Sequence, residues 1–174
     1  IYKGEVCRVL PGMQAAFVDI GLDKAAFLHL SDFNSQELQN GSDNIEHYLK
    51  EGQKIVVQVT KDPLGNKGAR LTTDISIPSR YQVYMPYASN SGVSQRIECE
   101  EERIRLRACI ENYVQKHHIV GGFIARTAAE CVEDVILYSD MTFLHKLWES
   151  IHEKSKKAKV KTLIHEDLPL SIRT

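Results

Sequence analysis

The chain has 174 residues, 43% of them hydrophobic and 26% charged, with a formal net charge of −1. That length suits one or two domains able to bury a core without staples, and the charge balance excludes a global attraction to nucleic acid or to a membrane surface, so any such role must rest on local patches. No apolar run approaches the roughly 20 residues of a membrane helix and no charged start leads into an apolar leader, so a cytoplasmic protein is expected.

The chain opens on Ile1, already inside the alternating pattern IYKGEVCRVL, which predicts a first strand and a piece cut from a longer protein. Period two continues to about Ser76. In QAAFVDIG the set Ala16, Val18 and Ile20 is expected to face a core, with Ala15, Phe17 and Asp19 on the other face. In KAAFLHL the inward set is Ala26, Leu28 and Leu30, leaving Ala25, Phe27 and His29 outside. Ile55, Val57 and Val59 form a further inward set, and Leu71, Thr73 and Ile75 the last. Turns are marked at Pro11-Gly12, Gly21 to Lys24 and Asp62 to Gly68, and a polar insert with helical character is expected around Asp43 to Lys50. Five short strands interrupted in this way match the small Greek-key barrel called the OB-fold.

After Pro78 the composition changes. SRYQVYMP reads as a strand and Glu100 to His118 as a helix, with Leu106, Cys109, Ile110 and Tyr113 on one stripe and Gly121-Gly122 as its stop. Glu100, Glu101 and Glu102 suit the anion-favouring start of that helix and are read as a solvated end. GGFIAR is the next strand. A second helix is expected from about Glu133 to Lys157, with the stripe Leu137, Met141, Leu144, Trp148 and Ile151. VKTLIHE closes as a last strand, so that the second half alternates strand and helix. The domains are therefore placed at residues 1–76 and 77–174. Cys7, Cys99, Cys109 and Cys131 lack both CxxC spacing and matching histidines, which predicts reduced, partly buried thiols and no metal site.

Two features carry chemistry. Phe17 and Phe27 sit opposite the aliphatic sets of their own strands, and exposed aromatics on neighbouring barrel strands are what single-stranded nucleic acid stacks on. His29, Lys61 and Lys67 stand ready to add polar and phosphate contacts, the lysines from the basic stretch Lys54 to Arg70. The alternative is that both rings pack under the insert or against the second half. Arg126 and Thr127, at the end of GGFIAR, offer a guanidinium and a hydroxyl side by side, though the residues alone favour reading Arg126 as an arginine that pairs with an acid such as Glu130.

Read together, IYKG, PGMQAAFVDIG, AAFLHLSD, DPLGNKGARLTT, SRYQVYMP, GVSQRIE and GGFIARTAAE closely resemble the ribonuclease E/G family of bacterial endoribonucleases, in order and spacing over essentially the whole chain, with PGMQAAFVDIGLDKAAFLH nearer the G branch. The resemblance implies an S1-type OB barrel followed by a small α+β 5′-sensor domain that ends near a ribonuclease-H-like segment. It implies that Arg126 and Thr127 grip a 5′-monophosphate, that the Val83 backbone helps hold the first nucleotide, and that Phe17, Phe27 and Lys67 contact single-stranded RNA. The E branch carries an arginine at the position of Gln95, so Gln95 and the adjacent Arg96 are further candidates for the phosphate pocket. The parent is implied to be a homo-oligomer, dimer or tetramer, that processes and degrades rRNA and mRNA, using magnesium for cleavage and zinc to link subunits. Both metals belong to a catalytic domain outside this chain, so the chain is expected to bind RNA without cutting it. Other readings are an S1-type module without 5′-end sensing and a face that packs on sister subunits.

Overall fold

The computed structural model describes residues 1–34 and 36–166, so the expected end of the second domain at residue 174 lies outside the described residues. Two compact units are present, one of Ile1–Ile75 with Ile151–Glu166 and the other of Ser76–Ser150.

The first unit is a closed barrel of β1 (Tyr2–Leu10), β2 (Ala15–Asp19), β3 (Ala26–His29), β4 (Lys54–Lys61) and β5 (Arg70–Thr72). The order β1-β2-β3-β5-β4 closes through a further β1–β4 pairing, the OB topology. Only β3 and β5 run parallel. The inward sets read from the alternation fill the interior: Ala16, Val18, Ala26, Leu28, Val57 and Leu71 are all fully buried. Ala15 is also fully buried although it shares the Phe17 face, because a methyl between its cross-strand partners Leu10 and His29 leaves no room for water. The polar insert forms only short 3-10 turns, Glu37–Asn40 and Ile45–His47, which seat Ile45 and Leu49 in the barrel core.

The final strand departs from the alternation expected of the second half. β10 (Thr162–Leu163) joins the barrel sheet, pairing antiparallel with Tyr2 and Lys3 of β1. The reason is an unfilled edge. β2 pairs with β1 only from Glu5 onward, so the backbone groups of Ile1 and Lys3 need other partners, and the N–H groups of Lys161 and Ile164 donate to the carbonyls of Lys3 and Ile1 at 2.7 and 2.8 Å.

The second unit is a four-stranded sheet of β6 (Ile77–Pro78), β7 (Gln82–Met85), β8 (Gly92–Val93) and β9 (Gly122–Ala125) in the order β6-β7-β9-β8. Tyr84, Val93, Phe123 and Ala125 point to its buried face, and α1 (Glu100–His117) packs against β8 and β9 with Leu106, Cys109, Ile110 and Tyr113 buried as its stripe predicts. The helix ends where the sequence placed its end, but the cap is His118 itself, which takes the left-handed conformation with φ 51°, and not the glycine pair. Gly121 serves the strand entry instead: at φ 105°, a side-chain carbon there would come within 2.7 Å of the Met85 carbonyl oxygen. The helix α2 (Asp134–Lys157) buries Leu137, Met141 and Leu144 in this unit. Among the described residues no helix is long and apolar enough to cross a membrane.

The glutamates at the start of α1 are not all idle. Glu102 accepts both the guanidinium of Arg105, at 2.8 and 2.9 Å, and the Cys131 N–H, at 2.8 Å. Arg105 foremost, then the Cys131 N–H, hold its carboxyl down to about 2. Arg105 also reaches Asp134 at 2.7 Å, so one clamp ties the starts of both helices. All four cysteines are free, but Cys7, Cys99 and Cys131 are exposed rather than partly buried, and only Cys109 is covered.

Candidate nucleic-acid interface

Cross-strand register, which determines which side chains stand beside each other, builds the barrel face. Phe17 pairs with Phe27 across β2 and β3, their ring centroids 6.1 Å apart in an edge-to-face contact. On β1, Arg8 stands opposite Phe17; on β5, Arg70 stands opposite Phe27; and on β4, Lys61 stands opposite Arg70. One row therefore crosses the sheet as Arg8, Phe17, Phe27, Arg70 and Lys61, two aromatics flanked on each side by cations. His29 continues along β3, its ring 6.4 Å from that of Phe27, and its Nδ1 is occupied by Ser31.

A groove of about 970 Å³ runs over this row, and Phe17, Phe27, Lys61, Lys67 and Arg70 line it. Its far wall is the β4–β5 loop, closed by reciprocal backbone bonds between Leu64 and Lys67 at 3.2 and 3.0 Å. Lys24 pins that wall by donating from Nζ to the Gly65 carbonyl at 2.7 Å. Gly68 lets the loop close on β3, since a side-chain carbon there would collide with the Ala25 carbonyl oxygen. Arg70 is held by Asp32 at 3.1 Å and remains 43% exposed, so it is aimed without being consumed. Met13 and Leu64, 58% and 81% exposed, give the groove an apolar rim. Arg70 belongs to the basic stretch read from the sequence, whereas Arg8, Lys24, Met13 and Leu64 carried no signal there as site residues. Which ring a cation flanks is fixed by register, and Arg70 stands far in the chain from Phe27.

A second constellation lies at one end of the sheet in the other unit. Arg126 follows β9 with extended backbone, on the outer face it shares with Ile124, and Val83 stands opposite Ile124 on β7. Its N–H donates to the Tyr81 carbonyl at 2.8 Å on one side, while on the other the Ser94 N–H donates to the Ala125 carbonyl at 2.8 Å. The guanidinium is half-buried and donates from Nη1 to the Ser79 carbonyl at 2.6 Å, its one side-chain hydrogen bond among the described residues. Nε–H and the Nη2 group make no side-chain hydrogen bond among the described residues. No Arg126–Glu130 ion pair forms among the described residues. Thr127 is exposed at the start of a 3-10 turn. Gln95 and Arg96 are exposed on the turn after β8, which Arg103 of α1 clamps by donating to the carbonyls of Ser94 and Ile97 at 2.8 and 3.1 Å. Close to the same end, the Arg80 guanidinium lies 5.3 Å over the Tyr81 ring.

Among the described residues no three histidine, cysteine or carboxylate side chains come together in a way that could hold a metal ion. Asp19 is engaged by Lys161 at 3.2 Å and by the Gly21 N–H at 2.9 Å, with the latter foremost in lowering its carboxyl below the ordinary range. It serves a turn. The described residues therefore offer no donor set that fits the magnesium or the zinc implied by the resemblance.

Residues 76–174 match the model of the ribonuclease E/G family, and residues 1–73 match the S1 RNA binding domain. The chain is 51% identical to ribonuclease G of Escherichia coli K12 over 181 residues, covering 99% of this chain and 36% of that protein. The ribonuclease G of Haemophilus influenzae gives the same identity and coverage. Ribonuclease E of Synechocystis is 39% identical over 168 residues, covering 96% of this chain and 24% of that protein. The chain thus spans little more than a third of the length of the first curated relatives it matches.

Proposed function

Because the chain belongs to the ribonuclease E/G family, we propose that its barrel holds single-stranded RNA along the Phe17–Phe27 row and that its second unit senses a 5′-monophosphate through Arg126 and Thr127. The observation that carries this reading is the row itself. Two stacked-upon rings suit bases of any sequence, and the cations on both flanks suit the phosphates that accompany them. Lys67 in the groove wall adds a further charge, and His29 a polar edge.

For the 5′ end, the support is the aim of Arg126. A terminal phosphate carries nearly two charges and three acceptor oxygens. A guanidinium fork fixed at a strand end matches such a group better than a point charge on a mobile loop, and the Thr127 hydroxyl and N–H stand beside it. Val83 supplies backbone for the first nucleotide, with Gln95 and Arg96 at the pocket's other border. A triphosphate brings more bulk to the same place and binds worse. Anchoring RNA at fixed points positions the scissile bond in the parent, a proximity effect. The parent is then an endoribonuclease of RNA processing and decay, a homo-oligomer whose magnesium and zinc are held outside these residues, and the described residues bind RNA without cutting it.

The test is binding of one short single-stranded RNA bearing a 5′-monophosphate, a 5′-hydroxyl or a 5′-triphosphate, at fixed salt. The monophosphate is expected to bind best. Arg126→Ala should remove a charge-assisted contact of about 1.5–3 kcal/mol, roughly ten- to 150-fold in affinity, for that RNA alone. Equal binding of all three by the parent sequence would leave an S1-type module without end sensing.

A further inference from the structure

We infer that Asp140 and Ser79 are positioning residues for the 5′-phosphate contact: the α2 carboxylate fixes the turn on which Arg126 leans with both its backbone and its guanidinium. The inference rests on the reading of Arg126 as the phosphate ligand.

An arginine that must meet a phosphate loses rotamer freedom, a cost of up to about 2 kcal/mol. The bond from Nη1 to the Ser79 carbonyl, at 2.6 Å, removes most of that freedom before any ligand arrives. A carbonyl can aim a guanidinium only if it is itself held. Ser79 is held on both sides: its N–H donates to the Gln82 carbonyl at 2.7 Å, and its single hydroxyl proton goes to Asp140 Oδ2 at 2.6 Å, the nearer of two acceptors, with the Gln82 carbonyl oxygen at 2.9 Å. Gln82 returns its own N–H to Ser79 Oγ at 3.2 Å. The Tyr81 N–H also favours the charged form of Asp140 against its burial, and the Tyr81 carbonyl is the acceptor for the Arg126 N–H. One carboxylate thus bonds Ser79 directly and interacts with Tyr81, the two residues that orient Arg126.

Chemistry argues that this is more than packing. Burial pushes the Asp140 carboxyl above its ordinary range, against the bonds from Ser79 and Tyr81. A neutral side chain would occupy the same half-buried place on α2 at a lower desolvation cost. The Ser79 hydroxyl donates to it at 2.6 Å and the Tyr81 N–H favours its charged form, interactions that are stronger with a carboxylate than with a neutral acceptor. An anion in direct contact with a phosphate would repel it. Here Ser79 stands between the carboxylate and Arg126, so the fixing is transmitted without the charges meeting.

The variants are Asp140→Asn, which removes the charge that strengthens the bond from the Ser79 hydroxyl, and Ser79→Ala, which keeps the carbonyl but loses its hydroxyl anchor. Both are measured on the 174-residue chain, with Arg126→Ala in parallel, using the same single-stranded RNA with a 5′-hydroxyl or a 5′-monophosphate. The quantity read is the ratio of the two dissociation constants. Loss of about one hydrogen bond should lower that ratio about two- to tenfold in each variant, leaving 5′-hydroxyl affinity unchanged. The 15N–1H peaks of Phe123 and Leu137 should stay dispersed, which separates loss of aim from loss of fold. If Arg126→Ala abolishes the preference while both other variants keep it, the inference fails and the phosphate reading stands. If Arg126→Ala keeps the preference, the phosphate reading fails and takes the inference with it. Collapse of those peaks in both variants would assign Asp140 and Ser79 to folding alone.

Discussion

Phe27 and Leu28 are chain neighbours on opposite faces of β3, and the fold assigns them opposite consequences. Leu28 is fully buried in the barrel core, so Leu28→Ala removes buried methyl groups and leaves a cavity. It should cost about 2–5 kcal/mol of folding stability. Phe27 is only half-buried and touches Phe17 edge to face at 6.1 Å. Phe27→Ala should therefore forfeit about 0.5–1.5 kcal/mol of ring pairing in the folded state. In RNA binding the order reverses. Loss of a stacking platform weakens a single strand by about 1–3 kcal/mol per base, roughly five- to 150-fold. The loss should be equal for 5′-hydroxyl and 5′-monophosphate RNA, because the barrel row does not read the end. Urea unfolding gives the stability differences, and fluorescence anisotropy with a labelled single-stranded RNA at fixed salt gives the affinities. A Phe27→Ala variant that loses as much stability as Leu28→Ala and keeps its RNA affinity would refute the assignment of that face to RNA.

Glu102 predicts an acid limb. Its folded carboxyl is depressed to about 2, chiefly by Arg105, against roughly 4.3 unfolded. Its contribution is therefore present above the unfolded value and is lost as pH falls toward 2. The thermal midpoint of the parent sequence minus that of Glu102→Gln should shrink across that window. The comparison isolates Glu102 from Glu37, Asp74 and Asp140, whose carboxyls burial shifts upward. A difference that stays constant from pH 5 to 2 would show that the Arg105 clamp is not formed in solution. Gly121→Ala should destabilise the second unit by more than about 1 kcal/mol, since φ is 105° and the added carbon meets the Met85 carbonyl. Denaturant midpoints would show it, and an unchanged midpoint would mean that the turn into β9 is not as described.

Much of this protein was set by local pattern. Alternation placed Val18, Leu28 and Leu71 inside the barrel and put Phe17 and Phe27 on the opposite face, because strand side chains alternate whatever the strand pairs with. Helical spacing likewise identified the buried stripe of α1 and, in α2, Leu137, Met141, Leu144 and Ile151, whereas Trp148 of that stripe is only partly buried. The family resemblance brought Arg126 and Thr127 forward, where the residues alone favoured an ion pair between Arg126 and an acid such as Glu130.

Tertiary structure decided what local pattern cannot reach. The insert after β3 is polar enough to read as a helix, yet it forms 3-10 turns because its apolar residues must seat on a curved barrel. β10 carries an ordinary strand pattern, and only the edge of β1 left open by the start of β2 tells it which sheet to join. Arg8 and Arg70 reach the aromatic row through register, in which a bulge between Val6 and Arg8 and a parallel β3–β5 pairing matter as much as residue type. The hold on Arg126 is built from Ser79 and Asp140, distant in the chain, and a carboxylate on a helix gives no sign in sequence of the serine it will meet. Periodicity is written within a few residues of chain, whereas register, edge pairing and anchoring depend on which surfaces remain once the core has closed.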